Sequence, residues 1–181
     1  MKLFFQLTIL VFLTLSSCKS SQPEKTEPKT DAPKVVFDFS EMKKADLPES
    51  IGIINDYGQI FTESQRTELS KILYDYEIET TRQIVVVTVD SIKPYNEIQK
   101  YATDLGQKWG VGNAEKDNGL VIVLCNPIRE IGIATGTGTE LILTDEICKI
   151  VIDSTIVPEF KNEKYYNGIK NGVTELIAKW K

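Results

Sequence analysis

Asp117-Asn118-Gly119 and the later stretch Thr135-Gly136-Thr137-Gly138-Thr139-Glu140, with Asp145 just beyond it, hold the densest set of oxygen donors in this chain. Three carboxylates, an amide and several hydroxyls are the ligand types that hard divalent cations such as calcium and magnesium take. A plainer reading of the same residues also stands. Asp-Asn-Gly makes a good turn, Asp145 suits the first turn of a helix, and Gly-x-Gly is a flexible loop. The chain has no histidine. That removes histidine-activated nucleophiles, an imidazole general base and histidine zinc sites. Any chemistry must rest on carboxylates, hydroxyls, backbone amides, lysine or arginine. The glycines form no Walker phosphate loop, because no Gly-Lys-Ser/Thr follows them, and Gly136-Thr137-Gly138 lacks the third glycine of a dinucleotide fingerprint. The spacing of an EF-hand loop is missing too.

Whether these donors meet depends on the elements around them. Gly52-Ile53-Ile54 reads as a short strand. Thr62 with Gln65 three residues later is a capping box, and Leu69, Ile72, Leu73 and Tyr76 recur at helical spacing, which predicts a helix over 63–80. Ile84-Val85-Val86-Val87-Thr88-Val89 is a β-branched run of the kind found in strands covered on both faces. Pro94 can open a helix through Ile98, Tyr101, Ala102 and Leu105 to Trp109, with Gly110 as its stop. Gly119 to Cys125 is a second buried strand. Asn126-Pro127-Ile128-Arg129 is too short for a helical crossover, so Glu130 to Thr135 must return antiparallel beside 119–125. That hairpin brings Asp117 toward Gly136. Helices over about 144–156 and 163–179 complete a mixed sheet with helices on its faces.

The 181 residues, 41% hydrophobic and 26% charged with a net charge of −5, fit one compact core. The acidic balance argues against a nucleic-acid surface, which needs lysine and arginine to displace counterions, so no nucleic-acid partner is expected. Met1-Lys2, an apolar run from Leu3 to Leu15 and then Ser16-Ser17-Cys18 form an export signal too short to span a bilayer. Leu15-Ser16-Ser17-Cys18 also resembles a bacterial lipobox. The expectation is a signal peptide over 1–17, lipid on Cys18, and a cell-envelope protein facing the periplasm or exterior, with the membrane as partner through its anchor. From Lys19 to about Lys34 the chain is rich in proline, lysine and acid and reads as a tether. The expected division is an anchored linker over 18–48 and a domain over 49–181. Cys125 and Cys148 read as buried apolar side chains; export permits a disulfide between them.

The ordered series Asn55-Asp56-Tyr57-Gly58, the strand from Gln83 to Val89, Trp109-Gly110-Val111-Gly112, Lys116-Asp117-Asn118-Gly119, Arg129, Thr135-Gly136 with Gly138 and Glu140, Leu143-Thr144-Asp145, and Pro158-Glu159-Phe160 before Tyr166 and Gly168 resembles the TPM domain family. That family is named from a thylakoid-lumen phosphatase, a photosystem II repair protein and a nematode receptor accessory protein. The resemblance implies an α/β fold, an αβα three-layer sandwich with a mixed, mainly parallel sheet. It also implies extracytoplasmic, often membrane-anchored domains, divalent-cation binding in some members and acid phosphatase activity in at least one plant member. Carried over residue by residue, it adds Asp56 to Asp117, Asn118, Glu140 and Asp145 as candidate metal ligands, with calcium or magnesium as the ion. This chain carries Thr137 where many members have an aromatic residue. The function expected is a cation-binding accessory or interaction module for membrane proteins. The alternative is a metal-dependent acid phosphatase, in which a metal-bound water attacks phosphorus or Asp117 or Asp56 is the nucleophile.

Overall fold

The computed structural model describes residues 47–181; Cys18, the export signal and the linker to residue 46 lie outside the described residues. Strands β1 (Ile54–Asp56), β2 (Gln83–Val89), β3 (Gly119–Cys125) and β4 (Glu130–Thr135) form one sheet in the order β1-β2-β3-β4. The first three run parallel and β4 returns antiparallel to β3, with Leu120 opposite Thr135 and Cys125 opposite Glu130. The hairpin turns on the short 3₁₀ segment Asn126–Ile128.

β2 and β3 are buried along their whole length apart from Gln83, because both of their faces are covered. Ile84, Val86, Leu120 and Ile122 point to one side, into a core shared with Leu69, Leu73, Val151, Ile169 and Trp180. Val85, Val87, Val121 and Val123 point to the other, against Tyr101, Ala102 and Leu105. The first side is covered by α1 (Glu63–Thr80), α4 (Asp145–Val151) and α6 (Tyr165–Lys179); the second by α2 (Ile98–Trp109). This is the αβα sandwich with a mixed, mainly parallel sheet. The crossovers β1-α1-β2 and β2-α2-β3 step the same way across the sheet with their helices on opposite faces, so they have opposite hands. One of them is therefore the left-handed exception to a strong rule.

The Thr62–Gln65 capping box opens α1 as the sequence predicts. The expected helix over 144–156 is broken up. Thr144 caps α4, which runs to Val151, followed by a π-helical turn over Ile152–Ile156 and α5 (Val157–Phe160). Pro158 has no N–H for the Ser154 carbonyl, and the Val157 N–H reaches back to the Ile152 carbonyl instead. A one-turn helix, α3 (Thr137–Glu140), stands where a loop was expected.

The core also reaches two residues ahead of the expected boundary at 49. Leu47 is buried among the β2 and α2 side chains. Its carbonyl accepts from Lys108 Nζ at 2.7 Å, and the Pro48 carbonyl accepts from Trp109 Nε1 at 2.8 Å. This strap fills the part of the face that α2, seated over β3 and β4, leaves open. Cys125 and Cys148 are both free and face opposite sides of the sheet.

Candidate functional site

The hairpin brings the residues before β3 against those after β4. Gly136 N–H donates to the Gly119 carbonyl at 2.9 Å, and the N–H groups of Gly138 and Thr139 both donate to the Asp117 carbonyl, at 3.1 and 3.3 Å. Thr139, fully buried, donates its hydroxyl to the Gly119 carbonyl at 2.9 Å. The two segments approach so closely that only glycine fits. A Cβ on Gly136 would lie 2.2 Å from the Asp117 carbonyl oxygen, and one on Gly138 would lie 1.9 Å from that of Lys116. Asp117 itself is held at φ 45°, in the left-handed region, by a turn in which the N–H groups of Lys116 and Asp117 both donate to the Asn113 carbonyl. Its carboxylate is exposed and accepts from the Thr137 hydroxyl at 2.9 Å.

Asp117 stands at the rim of a groove of about 430 Å³ between α2 and the ends of β3 and β4. Glycines at 106, 110, 112, 119 and 136 line it, together with Thr103, Gln107, Asn113 and Thr135. Much of its surface is therefore backbone.

The five candidate ligands do not form one coordination group. Asp56 lies at the carboxyl end of β1, level with Thr88, whereas Gly119 is level with Gln83. In parallel strands those two levels are five residues apart, roughly 16 Å at the usual rise. Asp56 and Asp117 thus lie at opposite ends of the parallel strands. The Asp56 carboxylate is 2% exposed and saturated by the N–H groups of Ile60 and Phe61 at 3.0 Å, the Thr88 hydroxyl, and Arg66 at 3.1 Å. It fastens the turn between β1 and α1. Asn118 is buried with both amide atoms engaged. Its Oδ1 accepts from Asn113 N–H and its Nδ2 donates to the Thr81 carbonyl, each at 2.8 Å. Glu140 ends α3 and Asp145 begins α4, both exposed. Among the described residues no group of three or more Asp, Glu, Cys or His side chains is placed to hold a metal. The groove contributes one carboxylate, Asp117.

Neither described thiol is available as a nucleophile. Burial, reinforced by the charge of Asp145, pushes the Cys148 thiol up to about 11, and burial raises Cys125 as well, so both stay protonated at neutral pH. The sequence reading missed the α2 side of the groove. Its signal was there: Gln99, Thr103 and Gln107 recur every four residues and make a polar stripe beside the apolar face of the helix.

The model of the TPM domain family matches residues 54–179. The chain belongs to the TPM domain family. Among solved structures, the N-terminal domain of a protein from P. gingivalis is 26% identical, with a TM-score of 0.67 over 75% of this chain and 89% of that one. The N-terminal domain of cg2496 from Corynebacterium glutamicum is 17% identical with a TM-score of 0.57, over 75% of this chain and 85% of that one. BA42 from the psychrophile Bizionia argentinensis is 17% identical with a TM-score of 0.58, over 67% and 86%. The last two show the shared fold alone. No curated protein matches the chain.

Proposed function

We propose that this TPM domain is an accessory or interaction module carried on a lipid-anchored protein of the cell envelope, and that the Asp117 groove is its working face. The observation that carries the reading is the clasp between 116–119 and 136–139, which fixes an exposed carboxylate at the rim of a backbone-lined groove. The anchor rests on the Leu15-Ser16-Ser17-Cys18 sequence, and the proposed partner is a membrane protein reached from that anchor.

A divalent cation belongs to this proposal only at Asp117. Calcium takes six to eight oxygens, whereas magnesium keeps several waters and is commonly held by one or two carboxylates. One exposed carboxylate beside the Thr137 hydroxyl suits magnesium better, and with modest affinity. The bound ion would supply positive charge to the groove's rim.

Melting the chain from Cys18 onward, made without lipid, in millimolar magnesium and calcium tests the reading. A ligand that binds only the folded state stabilises it by RT ln(1 + [L]/Kd), about 0.4 kcal/mol where the ion is at its Kd. Magnesium should raise the transition in the wild type and in Asp56→Asn, but not in Asp117→Asn. Hydrolysis of p-nitrophenyl phosphate should be absent or slight. Metal-dependent turnover abolished by Asp117→Asn would replace the module with the phosphatase reading.

A further inference from the structure

We propose that the free edge of β4 beside α2 is a docking groove for an extended peptide that adds a fifth strand and presents a lysine or arginine to Asp117. The proposal rests on the reading of that groove as the working face and names what it takes.

Among the described residues β4 is the last strand of the sheet, and no strand pairs with its outer side. The Gly136 N–H to Gly119 carbonyl bond marks 119·136 as a bonded pair, and antiparallel alternation then makes 121·134, 123·132 and 125·130 bonded pairs as well. Ile131, Ile133 and Thr135 consequently turn their N–H and C=O groups away from β3, along the open edge. One of these positions already holds an amide: Gln99 Nε2 donates to the Ile133 carbonyl at 2.8 Å. The Gln99 side chain thus stands where the N–H of an incoming strand would, and the geometry there accepts a peptide group. Toward the carboxyl end of β4 the edge opens into the groove that Thr135, Gly136 and Thr137 share with Thr103 and Gln107 of α2. A strand edge flanked by a helix is the arrangement that β-strand addition uses: backbone pairing supplies affinity, and alternate side chains supply selectivity.

Charge decides the occupant's side chain. Asp117 lies exposed at this end, and the neighbouring Lys116 turns away to donate to Thr81 Oγ1 at 3.0 Å. A basic residue of the peptide completes the carboxylate; an acidic one is repelled. The same carboxylate cannot serve magnesium and lysine fully at once, so the two ligands compete.

The test titrates the ¹⁵N-labelled chain from Cys18 onward with a short acetylated peptide of alternating valine and threonine ending in lysine, and with its twin ending in glutamate. The lysine peptide is expected to shift the amide signals of Ile131, Ile133 and Thr135 and slow their hydrogen exchange. The glutamate twin should bind about fivefold more weakly, the ratio expected of one exposed ion pair. Gln99→Ala should bind about fivefold more tightly, because no side-chain hydrogen bond has to be displaced. Thr135→Pro removes an outward donor and sets the proline ring against the incoming strand, so it should weaken binding by at least about fivefold; if it fails to fold, the Gln99→Ala arm still decides. Shifts elsewhere, or binding unaffected by Thr135→Pro, overturn the proposal. Magnesium shifts at Asp117 with no peptide response at β4 also overturn it while leaving the cation reading intact. Peptide binding with no magnesium response supports it and removes the cation.

Discussion

Replacing Gly136 by alanine tests the clasp that fixes Asp117. The backbone at 136 has φ −70° and ψ 159°, a conformation any residue adopts, so dihedral strain adds nothing. The cost comes from approach. The new methyl would sit 2.2 Å from the Asp117 carbonyl oxygen, where ordinary contact begins at 3.4 Å, so the two segments must part by about an ångström. Parting them stretches beyond use the two N–H bonds to the Asp117 carbonyl and the Thr137 hydroxyl bond to its carboxylate. At about 1 kcal/mol net for each bond, the loss is about 2–3 kcal/mol, or a fall in Tm of about 6–12 °C for a domain of this size. Urea denaturation should show the lower midpoint with an unchanged slope, the mark of altered stability in an intact fold. Gly138→Ala, with its methyl 1.9 Å from the Lys116 carbonyl oxygen, should cost at least as much. A loss under about 0.5 kcal/mol, the range of ordinary surface changes, would refute the close approach and the positioning of Asp117 derived from it.

Other perturbations separate the remaining parts. Leu47→Ala should lower stability by about 2–4 kcal/mol in denaturant titration, since it empties a buried site in the core between β2 and α2. Asp56→Asn should cost about 2–4 kcal/mol, because it leaves Arg66 and the donors of the 56–61 turn without their anion. In alkali the thiol of Cys148, at about 11 when folded against 9.0 for an ordinary thiol, ionises more readily in the unfolded chain. Its contribution is therefore complete below pH 9 and lost as pH rises toward 11, and Cys148→Ala should flatten the first part of that decline in a stability–pH curve. Tyr101, raised from 10.0 to about 12 chiefly by burial, extends the decline above pH 10. Cys18→Ala should abolish incorporation of labelled palmitate and, where the signal is still removed, release the protein from membranes.

Local signals carried much of this fold. The Thr62–Gln65 capping box and the two continuous apolar strands are visible in sequence because neighbours along the chain determine them. The shortness of Asn126–Arg129 forced the hairpin, and with it the meeting of Asp117 and Gly136. The place of Asp56 depends instead on strand direction. Two helical crossovers make β1 and β3 parallel, so the last residue of β1 and a residue before β3 fall at opposite ends of the sheet. Family resemblance alone placed them in one ligand set. Asn118 counts among the candidate ligands in sequence because its partners, Asn113 and Thr81, are brought to it by backbone geometry that composition does not reveal. Leu47 was read as linker because a single apolar residue beside proline has no periodicity. Its burial follows only once α2 is seen to leave the β1–β2 side of its face open. The π-helical turn had one sequence cue, Pro158, whose effect depends on the helix that precedes it.

Mapping magnesium onto the backbone tests the account most directly. In ¹⁵N spectra of the chain from Cys18 onward, added magnesium should shift the amides of Asp117 and Gly136–Thr139, leave Asp56–Phe61 unmoved, and shift neither group in Asp117→Asn. Shifts centred on Asp56, or no localised response at all, would contradict the assignment of Asp117 as the groove's cation-binding group.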